Sequence, residues 1–199
     1  MGEKKTQKAN IAGIILAAGE STRFGAPKQL EKINGETMLA IAIDKAKTVG
    51  LDPIVVVVGA HADQIIPTIG RSDIEIVVNS NWTMGISASI RAGIESLPGK
   101  VECVLMMMTD QPKLPTELMR QLIDEFDPKF DFIVPVAQGV LRNPVIINKK
   151  TFPRVLQLEG DAGARTLFPE SMIKRVTWED ELVFQDIDTK KDLNLLENS

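Results

Sequence analysis

Apolar residues in this chain fall into two kinds of block. One kind is a mainly apolar run: IAGIILAA at 11–18, the unbroken Pro53–Val58, Ile74–Val78, Val101–Met108 and Phe132–Pro135, with a short extended piece at Val145–Ile147 and a last strand candidate at Val183–Ile187. Continuous rather than alternating hydrophobicity predicts strands covered on both faces, as in a parallel sheet between helices. The other kind repeats with helical spacing. Met38, Leu39, Ala42, Ile43 and Ala46 share one face of a segment that Thr37 can cap and Gly50 can stop. Further helices are predicted over Ala62–Ile69, Gly85–Leu97, Thr116–Phe126 and Thr151–Leu158. Thr189 can cap a last helix that Leu193, Leu195 and Leu196 dock.

Strand and helix alternate through the first two-thirds of the chain, with no repeat and no low-complexity linker. That order predicts an α/β sandwich with a mainly parallel sheet. Ligands of such sheets bind beyond the carboxyl ends of the strands. The polar clusters at those ends, Ala18–Lys28, Gly59, Asn79–Ser89 and Asp110, are expected to converge on one crevice. Residues 10–199 are expected to form a single domain, with residues 1–9 as a disordered tail.

Composition narrows the class. The chain has 199 residues, 44% hydrophobic and 25% charged, enough for a substantial core and unlike a disordered sequence. A formal net charge of -4 offers no basic footprint for duplex nucleic acid. No apolar run approaches the ~18 residues of a membrane span. The polar, basic start MGEKKTQKAN followed by IAGIILAA imitates a signal peptide, and Met1–Thr6 fits a loose myristoylation pattern. The apolar run leads straight into a glycine loop, so both are read as coincidences. Cys103 is alone among apolar neighbours and reads as an inert core thiol, in keeping with a reducing cytoplasm. The Asn81-Trp82-Thr83 sequon carries no meaning in that compartment.

The chemistry centres on Ile14–Lys28, IILAAGESTRFGAPK. Small residues after a buried strand let backbone N–H groups approach a phosphate, and Arg23 and Lys28 can neutralise it. The loop matches neither G-x-G-x-x-G nor a P-loop, and an ordinary strand-to-helix turn is the plain alternative. Asp110 closes an apolar strand at the expected crevice edge. Asp186 and Asp188 bracket Ile187, and period-2 alternation puts both on one face if a strand continues that far. Two carboxylates plus phosphate oxygens and water suit Mg²⁺, although Asp188 equally suits a helix N-terminus. The only histidine, His61, reads as a surface or capping residue. Neither a nucleophile triad nor a zinc cluster can be built around it. Such a set suits transfer to a phosphate oxygen that is already a competent nucleophile.

Five segments resemble the MobA-like nucleotidyltransferases, in particular their molybdenum cofactor cytidylyltransferase branch. They are LAAGESTRFGAPK at 16–28, the Asn79/Gly85/Ser87/Ser89 loop, TDQP at 109–112, GDAGAR at 160–165 and DIDTKKD at 186–192. The resemblance implies a Rossmann-like three-layer fold and metal-dependent attack of a terminal phosphate on the α-phosphate of an NTP. By position, Ala18, Gly19, Arg23 and Lys28 would hold the triphosphate, Gly85 and Ser87 would lie by the base with Asn79 nearby, and Leu16, Ala17 and Gly59 would also bind the nucleotide. Lys28, Arg23 and Asp110 would be catalytic, and Asp110 and Asp188 would hold Mg²⁺ or Mn²⁺. Arg142, Asn143, Asp161 and Arg165 would face the acceptor. The substrates implied are CTP and molybdopterin cofactor, with a molybdenum hydroxylase as recipient of the dinucleotide product. One departure stands in the acceptor region: Leu141-Arg142-Asn143 replaces the branch's usual Arg-Gly-His before the proline. GTP in place of CTP, a sugar 1-phosphate acceptor, or a non-catalytic nucleotide-binding module are the alternatives.

Overall fold

The computed structural model describes residues 9–70 and 73–197. The tail expected at residues 1–9 and the myristoylation pattern fall almost wholly outside them. In chain order come β1 (Ile11–Ala17), a small hairpin of β2 (Lys32–Ile33) and β3 (Glu36–Thr37), and α1 (Met38–Thr48). Then follow β4 (Ile54–Val58), α2 (Ala62–Ile69), β5 (Ile74–Val78), α3 (Ile86–Ser96), β6 (Cys103–Met108) and α4 (Thr116–Asp124). The last third holds β7 (Phe132–Ala137), β8 (Val140–Leu141), β9 (Val145–Asn148), α5 (Phe152–Val155), β10 (Ile173–Thr177) and α6 (Lys190–Glu197).

The central sheet runs β10-β7-β9-β6-β1-β4-β5, with β8 paired to β7. β4 and β6 flank β1 in parallel, and β5 and β10 pair in parallel with β4 and β7. β9 is inserted antiparallel to both β6 and β7, which leaves those two pointing the same way. Helices cover both faces. Ile11, Ile15 and Ala17 face α1, α2 and α4, whereas Ala12, Ile14 and Leu16 face α3 and α5. That division is why the strands read as continuous apolar runs. Val56 and Val57 in β4 are both fully buried, on opposite faces, each stabilising the fold by about 1.5–3 kcal/mol.

Several elements form for the local reasons read from the sequence. Thr37 accepts a hydrogen bond from Ala40 N at the start of α1, and Gly50 adopts a left-handed φ of 77° just past its end. Cys103 is buried, and desolvation, with the Glu102 charge added, pushes its thiol up to about 12. It is chemically inert, as expected.

Four expectations are corrected. Val183–Ile187 forms no strand: Glu181–Phe184 is a 3-10 turn, and Phe184 and Ile187 bury singly at that spacing instead of joining a ladder. The sheet edge belongs instead to β10, whose charged residues hid it from the periodicity. β5 is an edge strand rather than a buried one, and Val78 is 57% exposed. The helix expected over Thr151–Leu158 is only Phe152–Val155, after a 3-10 turn, and Leu195 points to solvent instead of docking.

Candidate active site

β1 sits where the chain order reverses, with β4 and β5 on one side and β6 on the other. The carboxyl ends of β1 and β6 therefore open into the crevice characteristic of a topological switch point. A cavity of about 410 Å³ lies there, walled by the loop after β1, by Met108–Asp110 at the end of β6, and by Trp82–Ile86 before α3.

The loop after β1 delivers two cations of different character. Lys28 Nζ donates to Asp110 Oδ2 at 2.8 Å, to Asp188 Oδ1 at 2.9 Å and to the Ile187 carbonyl at 3.2 Å. Only 14% of its side chain is exposed, so this cluster is locked in place. Burial works against the Lys28 ammonium, but the charges and hydrogen bonds of Asp110 and Asp188 outweigh it and hold its pKa above the usual lysine value. Arg23 also reaches Asp188, at 2.9 Å, but its side chain is 72% exposed. Such a pair contributes about 1 kcal/mol or less, so Arg23 can swing to an incoming phosphate at little cost.

Asp188 reaches this cluster through packing, not through a strand. Ile187, 1% exposed, packs with Phe24, Ile33, Met38 and Leu193, and its N–H donates to the Asp110 carbonyl at 2.8 Å. Asp192 closes the N-terminus of α6 by accepting from the Asp188 and Thr189 N–H groups. Asp186 is turned elsewhere and accepts from Gln111 Nε2 at 2.9 Å. Partial burial, followed by the charges of Asp110 and Asp188, pushes its carboxyl above the ordinary value of 3.8. The expected sharing of one strand face by Asp186 and Asp188 does not occur.

The opposite wall is a clasp between two glycines. Gly85 has φ 89°, and a Cβ there would lie 2.4 Å from the Gly160 carbonyl group. Ser87 N donates to Gly160 O at 3.1 Å, which pins the GDAGAR turn to the start of α3. Asp161 thereby lines the nucleotide-sized cavity, while Arg165 lies outside it. Arg165 is near Arg142 and Asp186: desolvation and then the Arg142 charge lower its pKa, while Asp186 opposes. Arg142 Nε is buried without a hydrogen-bond partner. Arg165 thus stands close to both a second guanidinium, Arg142, and the Asp186 carboxylate.

Of the residues expected to touch the nucleotide, Leu16, Ala18, Gly19, Arg23, Lys28 and Gly85 line the cavity, with Asp110 and Asp188. Ala17, Gly59, Asn79 and Ser87 do not. Gly59 permits close packing, since a Cβ there would meet Trp82 Cβ at 2.7 Å and Ala18 O at 2.8 Å. Asn79 is buried beneath the loop, donating to Ser89 Oγ and accepting from Asn81 N. Ser87 is fully buried and its hydroxyl is unpartnered. Arg142 and Asn143 lie between β8 and β9, outside the cavity wall. Sequence reading missed Gln29 and Met108 as lining residues, while Trp82, Thr83, Ile86 and Ser89 fall within the Asn79–Ser89 cluster expected at the crevice and Thr109 within the TDQP motif. Only the nearness of Gln29 to Lys28 and of Met108 to Asp110 in the chain could have signalled those two.

Residues 13–176 match the family described as the MobA-like NTP transferase domain. Nicotine blue oxidoreductase of Paenarthrobacter nicotinovorans is 29% identical over 189 residues, covering 90% of this chain and 92% of that protein. A probable molybdenum cofactor guanylyltransferase of Geobacillus sp. (strain WCH70) is 26% identical, covering 92% and 96%. Among solved structures, Rv0371c of Mycobacterium tuberculosis H37Rv superposes with a TM-score of 0.86 at 25% identity, covering 96% of this chain and all of that one. A structure of the same mycobacterial protein is a complex with manganese.

Proposed function

The chain belongs to the MobA-like NTP transferase family and is a nucleotidyltransferase, and from that premise we propose that it transfers a nucleotidyl group from an NTP to the terminal phosphate of molybdopterin cofactor. CTP is the donor that the TDQP, GDAGAR and DIDT motifs favour. The observation that carries the reading is the Lys28–Asp110–Asp188 cluster at the floor of a nucleotide-sized cavity.

The donor set fits a divalent cation. Asp110 Oδ1 is buried without a hydrogen-bond partner, and two carboxylates share a single locked ammonium. Asp110 and Asp188 would hold Mg²⁺ or Mn²⁺, which when bound supplies charge neutralisation on the triphosphate. The manganese complex of the mycobacterial relative accords with that choice.

The protein's own contribution is positioning and electrostatics. The loop after β1 holds the triphosphate, Arg23 folds onto it, and Lys28 faces the charge that develops at the α-phosphate. An oxygen of the acceptor phosphate forms the new bond to the α-phosphorus. The bond from that phosphorus to the bridging oxygen breaks, and pyrophosphate leaves with the electron pair. Arg142 and Arg165 hold the acceptor's phosphate, and Asp161 bridges the two halves of the site.

A second reading, GTP as donor, is favoured by the guanylyltransferase relative. Pyrophosphate release is measured with each of four NTPs against molybdopterin cofactor and sugar 1-phosphates. Cofactor-dependent release from CTP supports the first reading, and faster release from GTP the second. NADH and NADPH consumption is followed in parallel, because one relative is named as an oxidoreductase. Turnover there, with no pyrophosphate from any NTP, would overturn the transfer reading.

A further inference from the structure

The carbonyl groups of four consecutive residues at the turn out of β1 are all tied to protein donors. Gln29 Nε2 donates to Ala17 O at 3.2 Å and to Gly19 O at 3.0 Å. Ala60 N donates to Ala18 O at 3.1 Å. His61 Nε2 lies 2.9 Å from Glu20 O, and since a carbonyl only accepts, the imidazole nitrogen donates. In a trans peptide the N–H points opposite its carbonyl. Tying the carbonyls of Ala18, Gly19 and Glu20 therefore fixes the orientation of the N–H groups of Gly19, Glu20 and Ser21, each directed away from the donor that holds the carbonyl of its own peptide. Those three N–H groups have no acceptor among the described residues, and all three residues line the cavity. Oriented, unpaired amides in succession form a concavity for an anion.

We infer that Gln29 and His61 are positioning residues that preset this loop for a triphosphate by holding its carbonyls away from the bound anion. The inference rests on the triphosphate-binding role proposed above for the loop. The two side chains divide the task by depth. Gln29 is 2% exposed and wedges beneath the loop, with its Oε1 accepting from Ser21 Oγ at 3.4 Å. His61 precedes α2 and holds the far end, a role open to it both as the neutral Nε2–H tautomer and as the imidazolium. Without His61, the peptide between Glu20 and Ser21 can flip its carbonyl toward the anion. That flip exchanges an attractive N–H dipole for a repulsive one.

The test is calorimetric binding of inorganic tripolyphosphate, which reads the loop without the base or the acceptor. His61→Leu and Gln29→Met are expected to weaken it about tenfold each, the scale of one charge-assisted hydrogen bond. His61→Gln, whose carboxamide can still donate to Glu20 O, is expected to restore wild-type affinity. Thermal melts establish that each variant is folded, and if buried Gln29→Met is not, the His61 pair decides alone. Folded His61→Leu that binds tripolyphosphate like the wild type overturns the inference, as does failure of His61→Gln to restore it. Wild-type protein that does not bind tripolyphosphate overturns both this inference and the transfer reading. Wild-type protein that binds it but releases no pyrophosphate from any NTP overturns the transfer reading only.

Discussion

Lys28 donates to Asp110 at 2.8 Å across 82 residues of sequence, with both side chains about 15% exposed. Asp188 closes the same ammonium from the other side at 2.9 Å. The lysine thus stands between two carboxylates that would otherwise repel, and their charges and hydrogen bonds outweigh its burial and hold its pKa above the usual lysine value.

Lys28→Ala should therefore act twice. Loss of one preorganised cation is expected to lower the rate of pyrophosphate release by ~10²–10³. Asp110 left without its cation beside Asp188, which keeps only the exposed Arg23, is expected to cost about 3 kcal/mol in urea unfolding. Mn²⁺ should recover more stability in this variant than in the wild type, because it can take the place of the ammonium. Equal Mn²⁺ effects on both proteins would count against that shared position.

Asp110→Asn keeps the shape of the side chain and leaves Lys28 paired with Asp188. The fold is expected to survive, with a thermal midpoint close to the wild type. Mn²⁺ binding, followed by titration calorimetry, is expected to weaken about tenfold or more, ~1.4 kcal/mol per decade. Unchanged Mn²⁺ affinity would remove Asp110 from the metal set.

Gly85→Ala tests the clasp between the two loops. The new Cβ would sit 2.4 Å from the Gly160 carbonyl group, at a backbone φ of 89° that side chains disfavour. A loss of about 3 kcal/mol is expected from strain and overpacking together. Chemical denaturation measures it, and a shift below about 1 kcal/mol would mean that the GDAGAR turn is not pinned here.

Lys45 gives a pH signature from outside the Lys28–Asp110–Asp188 cluster. Its ammonium donates to the Pro112 carbonyl, and burial lowers its pKa from 10.5 to about 8. Between those values the unfolded chain binds more protons than the folded one, so stability should rise with pH across that window. Below it the folded state bears the desolvation cost of the charged lysine. Lys45→Met should lack this rise, so its stability relative to the wild type should fall as pH passes from 7 to 10. Urea titrations at several pH values read the slope directly, and parallel slopes in both proteins would refute the assignment.

The loop after β1 shows how far the sequence reached. Its small residues and two cations were legible as lining the crevice beyond β1, where Ala18, Gly19, Arg23 and Lys28 are found. The helix from Met38 and the buried strands Ile11–Ala17 and Ile54–Val58 followed from the same kind of local pattern, whereas their pairing did not. Gln29 and His61 were not legible as supports of the loop. Their role consists of hydrogen bonds to backbone atoms, which carry no side-chain signature.

The C-terminal aspartates separate the two levels most clearly. Their residue type and spacing announced a carboxylate site, and the alternation rule wrongly put both on one strand face. Burial of Ile187 and its N–H bond to the Asp110 carbonyl decided that Asp188 meets Lys28 while Asp186 turns to Gln111. By itself the sequence determined the layers of the fold, because hydrophobic periodicity is a local property of the chain. Only the tertiary structure decided which carboxylate, which carbonyl and which arginine pair meet, because those contacts join segments whose separation no local pattern encodes.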